Sequence, residues 1–227
     1  MVVRAADAQA DERAAPSRGA RRKSRTRGRL LAAARAVFAR EGLENATIAQ
    51  ITSAADVGFG TFYLHFATKE DLYRAVVEEG FGELAQLLDA ALAEAAARGA
   101  PWWEQVRVSV GGYCAFAERN RELFLVMFAG GRTGFDLGRE LQERFAESLA
   151  AQLAETAAEA HARKLPAPYP YPARTVALAT VVALTRSTLW WITQEDSAAR
   201  LSLDQHTETL SRYLVAALWG QTPYDAH

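Results

Sequence analysis

With 227 residues, half of them hydrophobic, the chain can bury a sizeable core in one or two domains, which excludes disorder throughout. Its 26 basic residues against 27 acidic ones leave the overall charge near balance, so any polyanion-binding face must come from local clustering. One cysteine, Cys114, excludes an internal disulfide; beside Tyr113 and Phe116 it is expected as a buried thiol in a reducing, cytoplasmic setting.

Residues 1–24 mix Ala, Asp, Gln and Arg without apolar periodicity, and Pro16 and Gly19 are expected to interrupt any helix, leaving a disordered basic arm. Such an arm is either a tether that reaches phosphates or a minor groove, or a solvated tail. From Arg13 to Arg40 there are ten Arg and Lys residues and no acid. Leu30, Leu31, Ala34, Val37 and Phe38 share one helical face, so a helix is expected from Thr26 to Arg40, ended by Gly42.

Ile48, Ile51 and Ala55 recur at helical spacing after Thr47, and Gln50 three residues beyond Thr47 completes a capping box. Asp56-Val57-Gly58 supplies a tight turn, because Asp tolerates the left-handed region and Gly enters it freely. A second helix from Phe59 to about His65 turns Phe62 and Phe66 inward and leaves Phe59, Gly60, Thr61, Tyr63, Leu64 and His65 to a partner. Two short helices so joined form the unit that lays its second helix in a DNA major groove. Thr68 and Asp71 open a long helix to about Ala97, which Gly80 and Gly82 are expected to bend or interrupt.

After Gly99-Ala-Pro101 come a helix from Trp102 to Arg119, a short apolar segment ending near Phe128, a glycine-containing loop from Gly130 to Gly134, and an amphipathic helix from Phe135 to about Lys164. The proline-rich stretch ending at Pro172 reads as an exposed connection. Helices from Ala173 to Gln194 and from Leu203 to Trp219 close the fold. The former is apolar nearly all round and must bury two faces. No apolar run approaches the roughly 20 residues of a membrane span, so no membrane partner is expected.

The segment Thr26-Arg-Gly-Arg-Leu-Leu-Ala-Ala-Ala-Arg-Ala-Val-Phe-Ala-Arg-Glu-Gly42, Thr47, the run Gly58-Phe-Gly-Thr-Phe-Tyr-Leu-His-Phe66 and Thr68-Lys-Glu-Asp-Leu72 together resemble the tetracycline-repressor (TetR) family of bacterial transcription regulators. Departures are Asp56, where the family usually has Gly, and Phe59, where a small or basic residue is common. The resemblance implies an all-α protein of about nine helices: a helix-turn-helix DNA-binding domain (25–72), then a larger helical effector-binding and dimerisation domain (73–220), with a flexible tail (221–227). It implies phosphate contacts from Thr47, the Gly60 amide, Tyr63, His65 and Lys69, with Arg27 brought near the backbone. Base contacts would fall to Thr61, Phe59, Leu64 and His65, because the reading helix has no Arg or Lys.

The expected function is a ligand-responsive regulator, a repressor that binds a palindromic operator in double-stranded DNA as a homodimer and is released by a small, largely apolar effector. A constitutive or architectural DNA binder without a pocket is the alternative. Effector-lining candidates are Trp103, Arg107, Tyr113, Phe116, Phe124, Met127 and Thr185. Val181, Leu184, Trp191, Leu210 and Leu214 are the candidates for the dimer interface. His65, His161, His206 and His227 show no metal-ligand spacing and no Gly-x-Ser-x-Gly motif occurs, so neither an enzyme nor a cofactor is expected.

Overall fold

The structure is a computed structural model, and it describes residues 17–128, 139–140, 142–151, 153–154, 158, 172–194 and 200–219. Among these the regular elements are all helical: α1 (Arg18–Asn45), α2 (Ile48–Ala54), α3 (Phe59–Phe62), α4 (Lys69–Ala97), α5 (Trp102–Arg119), α6 (Arg121–Phe128), α7 (helical residues 142–151), α8 (Ala173–Thr193) and α9 (Leu203–Trp219). The loop at Gly130–Gly134, the proline-rich run before Pro172, the tail 221–227 and most of the outer parts of the Phe135–Lys164 helix lie outside the described residues.

α1 buries Leu30, Leu31, Ala34, Val37 and Phe38, the face that periodicity marked, and its axis breaks at Gly42, where φ is +73°. Its start differs from expectation. The helix begins at Arg18, so Arg18–Ser24 are helical where the sequence suggested an arm. Ser17 caps this end, its hydroxyl accepting from the Ala20 amide at 3.2 Å, and Gly19 sits in the first turn, where it costs a helix least.

α4 is unbroken through Gly80 and Gly82, contrary to the expected bend. Gly80 instead permits close approach of α6: a Cβ there would stand 2.7 Å from Met127 Sδ and 3.0 Å from Leu123 Cδ1. Seven residues earlier, Tyr73 donates its hydroxyl to the Val126 carbonyl at 2.6 Å and meets the Phe38 ring edge-on at 5.2 Å. One side chain thus joins α1, α4 and the otherwise orphaned C-terminal carbonyls of α6. Arg35 of α1 adds ion pairs to Glu79 (2.8 Å) and Glu83 (2.7 Å) on α4.

In the body, α5 packs on α4, α8 and α9. Cys114 is buried as expected, its Sγ 3.9 Å from Thr188 Oγ1, and burial pushes the thiol up to about 11. A smaller cluster of Ala146, Ala177 and Val181, with Phe145, Leu149 and Leu153 against it, ties α7 to α8. By length and mean hydropathy, 1.3, α8 is apolar enough to cross a membrane, which corrects the reading of its sequence. Here it is a core helix, with Ala177, Val181, Leu184, Thr185, Thr188, Leu189, Trp191 and Ile192 buried against neighbouring helices.

Trp191 ends α8 in a stack: the His206 ring lies parallel at 4.5 Å and the Arg200 guanidinium 4.4 Å from the ring centroid. Burial, with Arg200 adding to it, lowers His206 to about 4, so its imidazole is neutral in the fold. Because the unfolded chain takes up that proton near pH 6.5, the native state binds fewer protons in between, and stability must fall as pH drops from about 6.5 toward 4. His206→Phe, which keeps a ring against Trp191, should flatten that part of the stability profile in urea unfolding; an equally steep profile would exclude His206 as its source. Tyr73→Phe should lower stability by about 1–3 kcal/mol through the unpaired Val126 carbonyl, measured by the same titration at pH 7.

Candidate nucleic-acid interface and effector cavity

The helix-turn-helix is assembled by local hydrogen bonds. The Thr47 hydroxyl accepts from the Gln50 amide at 3.2 Å, while the Thr47 amide and hydroxyl both donate to Gln50 Oε1, at 2.8 and 2.9 Å. α2 ends with the Asp56 amide donating to the Ser53 carbonyl and the Val57 amide to the Thr52 carbonyl, the paired bonds of a Schellman turn. That turn demands a left-handed residue, and Asp56 supplies it at φ 50°. A brace the sequence does not announce holds it: Arg29 donates to the Asp56 carbonyl at 2.7 Å and to Oδ2 at 2.8 Å.

α3 is shorter than expected, a regular helix only from Phe59 to Phe62, with turn bonds carrying the backbone on to Phe66. Its facing is as read: Phe62 and Phe66 are buried, whereas Phe59 (54%), Tyr63 (52%) and Leu64 (72%) keep most of their surface in solvent. Phe59 and Tyr63 meet edge-on at 5.8 Å. These exposed side chains gather on one short helix. A Cβ built on Gly60 meets nothing within 4 Å.

The other candidates are held more firmly than sequence suggested. Lys69 Nζ donates to the carbonyls of Ala46 (2.8 Å) and Glu44 (3.2 Å), closing the junction of α1 and α2 onto the start of α4. One N–H of the three remains for an outside acceptor. The Thr47 hydroxyl proton is committed to Gln50, so giving it to a phosphate would require leaving the cap. Burial, with Lys23 and Arg27 adding to it, lowers His65 from its ordinary value. Its Nδ1 is buried without a partner. The Arg27 guanidinium lies 5.3 Å over the Phe66 ring, beside the end of the reading segment.

A cavity of about 220 Å³ opens between α4, α5, α7, α8 and α9. Its described walls are mainly apolar: Leu88 and Leu92, Trp102, Val106, Val110 and Tyr113, Phe145 and Leu149, Val181 and Leu184, Leu214 and Leu218; Gln105, Ser109, Ser148 and Thr180 add polar groups and Asp89 a charge. Of the seven effector candidates only Tyr113 lines it. Phe116, Phe124 and Met127 are packed into the main core, Arg107 is exposed, and Thr185 is buried behind the wall, paired through its hydroxyl with Tyr113 Oη at 2.9 Å. Trp102 takes the position expected of Trp103. The missed lining is legible in hindsight: 102, 105, 106, 109, 110 and 113 form one stripe of α5, in which Gln105 and Ser109 interrupt an otherwise apolar row.

The interface candidates also point inward. Val181, Leu184, Trp191, Leu210 and Leu214 are all buried by the chain itself, and three of them face the cavity. The large apolar side chains that α8 and α9 leave exposed are Leu178, Val182 and Trp190 on the first and Tyr213 on the second.

Residues 30–76 match the family model of bacterial regulatory proteins, tetR family. The uncharacterized HTH-type transcriptional regulator YfiR of Bacillus subtilis (strain 168) is 31% identical over 67 residues, which span 30% of this chain and 33% of that one. In fold, the chain is similar to the fatty acid degradation regulator FadR of Bacillus halodurans, with a TM-score of 0.68 at 18% identity over 84% of this chain and 94% of that one. It is similar also to AibR, solved with isovaleryl coenzyme A and operator DNA, with a TM-score of 0.61 at 17% identity over 87% of this chain and all of that one. Residues 30–76, the helix-turn-helix and the helical turns that flank it, are thus similar to the tetR family of bacterial regulatory proteins, and the helical body around them shares the fold of these solved structures.

Proposed function

We propose that the chain is a ligand-responsive repressor, cytoplasmic and homodimeric, that grips a palindromic operator with α3 and lets go when an apolar molecule enters the cavity. The observation that carries the reading is the form of α3: Phe59, Tyr63 and Leu64 stand in solvent around the unobstructed backbone of Gly60. Thr61, Phe59 and Leu64 would read bases, thymine methyl groups above all, while Tyr63, the Gly60 amide, Arg27 and the remaining Lys69 N–H would hold phosphates. The dimer we propose uses the outward face of α8 and α9, Leu178, Val182, Trp190 and Tyr213, since these apolar side chains lack cover within the chain.

α4 supplies the coupling. Its first residue is bonded to the α1–α2 junction and its Leu88, Asp89 and Leu92 line the cavity, about 28 Å away at 1.5 Å per residue. A ligand that fits one tilt of α4 better than the DNA-competent tilt shifts the population, and about 1–3 kcal/mol of coupling suffices for a several-fold to hundredfold release. The cavity itself speaks against a constitutive binder with a solid body. Its lining suits an aliphatic or acyl chain, the kind of moiety carried by the isovaleryl coenzyme A bound to AibR.

Gly60→Ala adds a methyl group into open space and improves helix propensity, so stability should hold or rise by up to about 1 kcal/mol. Duplex affinity in a mobility-shift titration should nevertheless fall at least about tenfold, roughly 1.4 kcal/mol, where that methyl meets the DNA backbone. Undiminished affinity would remove α3 from the interface. Val106→Trp should fill the cavity and leave operator binding intact while abolishing release by acyl compounds that act on the unsubstituted chain. Equal release from both would place the effector elsewhere.

A further inference from the structure

The first turns of α1 carry more positive charge than their own fold can use. Arg18, Arg21, Arg22, Lys23 and Arg25 are helical and exposed, and the first buried residue of α1 is Leu30. No acidic residue stands in the first turn, so the cations crowd the positive end of the helix dipole, the reverse of α4, whose first turn holds Glu70 and Asp71. The pairs 18/22, 21/25, 23/27 and 25/29 also set like charges four residues apart, an arrangement that destabilises a free helix. A sequence that breaks the local rules twice in one place answers to something outside the chain.

The placement says what. Arg18, Arg22, Arg25 and Arg29 follow one another at helical spacing, and Arg29, the last of them, is bonded to Asp56 in the turn that leads into α3. Lys23 and Arg27 form a second row; Arg27 lies over Phe66, and both charges act on His65 at the far end of the reading segment. The extension therefore continues, along the same helix, the rows whose Arg29 and Arg27 border α3 at its entry and at its exit. We infer that Arg18–Arg25 is a second DNA-contacting element, a rigid helical bar whose guanidinium groups clasp the phosphates flanking the groove that α3 enters. Guanidinium forks suit phosphate oxygens in a way that scattered ammonium groups do not. The assignment rests on the DNA-binding reading above and adds to it a contact made by helix rather than by a loose arm.

Two full-length variants test it. The first, Arg18→Gln with Arg21→Gln, Arg22→Gln and Arg25→Gln, removes charge and keeps helix propensity. Ser24→Pro keeps every charge and breaks the bar ahead of the packed part of α1. Binding to duplex DNA is measured by fluorescence anisotropy across a salt series. Each lost phosphate contact lowers the log–log salt slope by about 0.9, so the charge variant should lose about 2 or more. Ser24→Pro should bind several-fold more weakly at moderate salt. A smaller loss of slope overturns the clasp; Ser24→Pro binding as tightly as the unsubstituted chain shows that the charges work through a tether and overturns the rigid bar. An unsubstituted chain that ignores duplex DNA at every salt concentration overturns the DNA-binding reading along with this one, a result separable from the other two.

Discussion

The contact on which the rest depends is the junction of α1, α4 and α6 around Tyr73. Its ring meets Phe38, its hydroxyl ends α6 by bonding the Val126 carbonyl, and Gly80, two turns further on, lets α6 lie directly against α4. Burial raises the Tyr73 hydroxyl to about 12, so it remains a neutral donor at any physiological pH. A hydrogen bond buried among packed apolar groups fixes orientation as well as proximity, because every alternative leaves a carbonyl unpaired. α4 is consequently not a free lever hinged at its start. It is held by α1 and α6 in its first half and reaches α5 and the cavity in its second.

The same kind of brace ties the helix-turn-helix, the head of the molecule, to the start of α4. Thr47 and Thr68 complete caps, the Asp56 carboxylate accepts from Arg29, and Lys69, a side chain the sequence offers to a partner, bonds the backbone carbonyls of Glu44 and Ala46. Such bonds fix the angle between α2 and α3 before any ligand arrives, so the ordering cost is met during folding rather than during binding. What remains on offer is apolar and aromatic surface on α3 and cationic surface on α1. Recognition of this kind draws discrimination from shape and methyl groups and draws affinity from phosphate charge.

How much of this could be read in advance follows the range of each interaction. The two capping boxes, Thr47 with Gln50 and Thr68 with Asp71, were legible because both partners lie three residues apart. The buried face of α1 and the orientation of Phe62 and Phe66 followed from periodicity alone. The Arg29 brace and the Tyr73 bond were invisible, spanning 27 and 53 residues. Periodicity also cannot say which of two apolar faces looks into a core and which into a void, which is why Phe116, Phe124 and Met127 looked as eligible for the cavity as Val106 and Val110. For α8 the same ambiguity hid which residues stay uncovered: Val181 and Leu184 face inward, while Leu178 and Val182, one residue from Ala177 and Val181, face out. The helical start at Arg18 was missed for a different reason, since charge repulsion and a glycine argue against helix locally and only propagation from the packed part of α1 argues for it.

The cavity lies where this logic of packing is weakest, at the seam between the main core and the small cluster that fastens α7 through Ala146, Ala177 and Val181. The cavity, about 220 Å³ and partly open to solvent, leaves its apolar walls short of contacts with one another. An occupant that fills it recovers part of that loss, and the helices that gain are α4, α5, α7, α8 and α9. Only about 1–3 kcal/mol of differential binding is needed to reset a two-state head. Under the proposed mechanism what counts is the difference in fit between two arrangements of the wall, and Leu88 and Leu92 make α4 part of that wall.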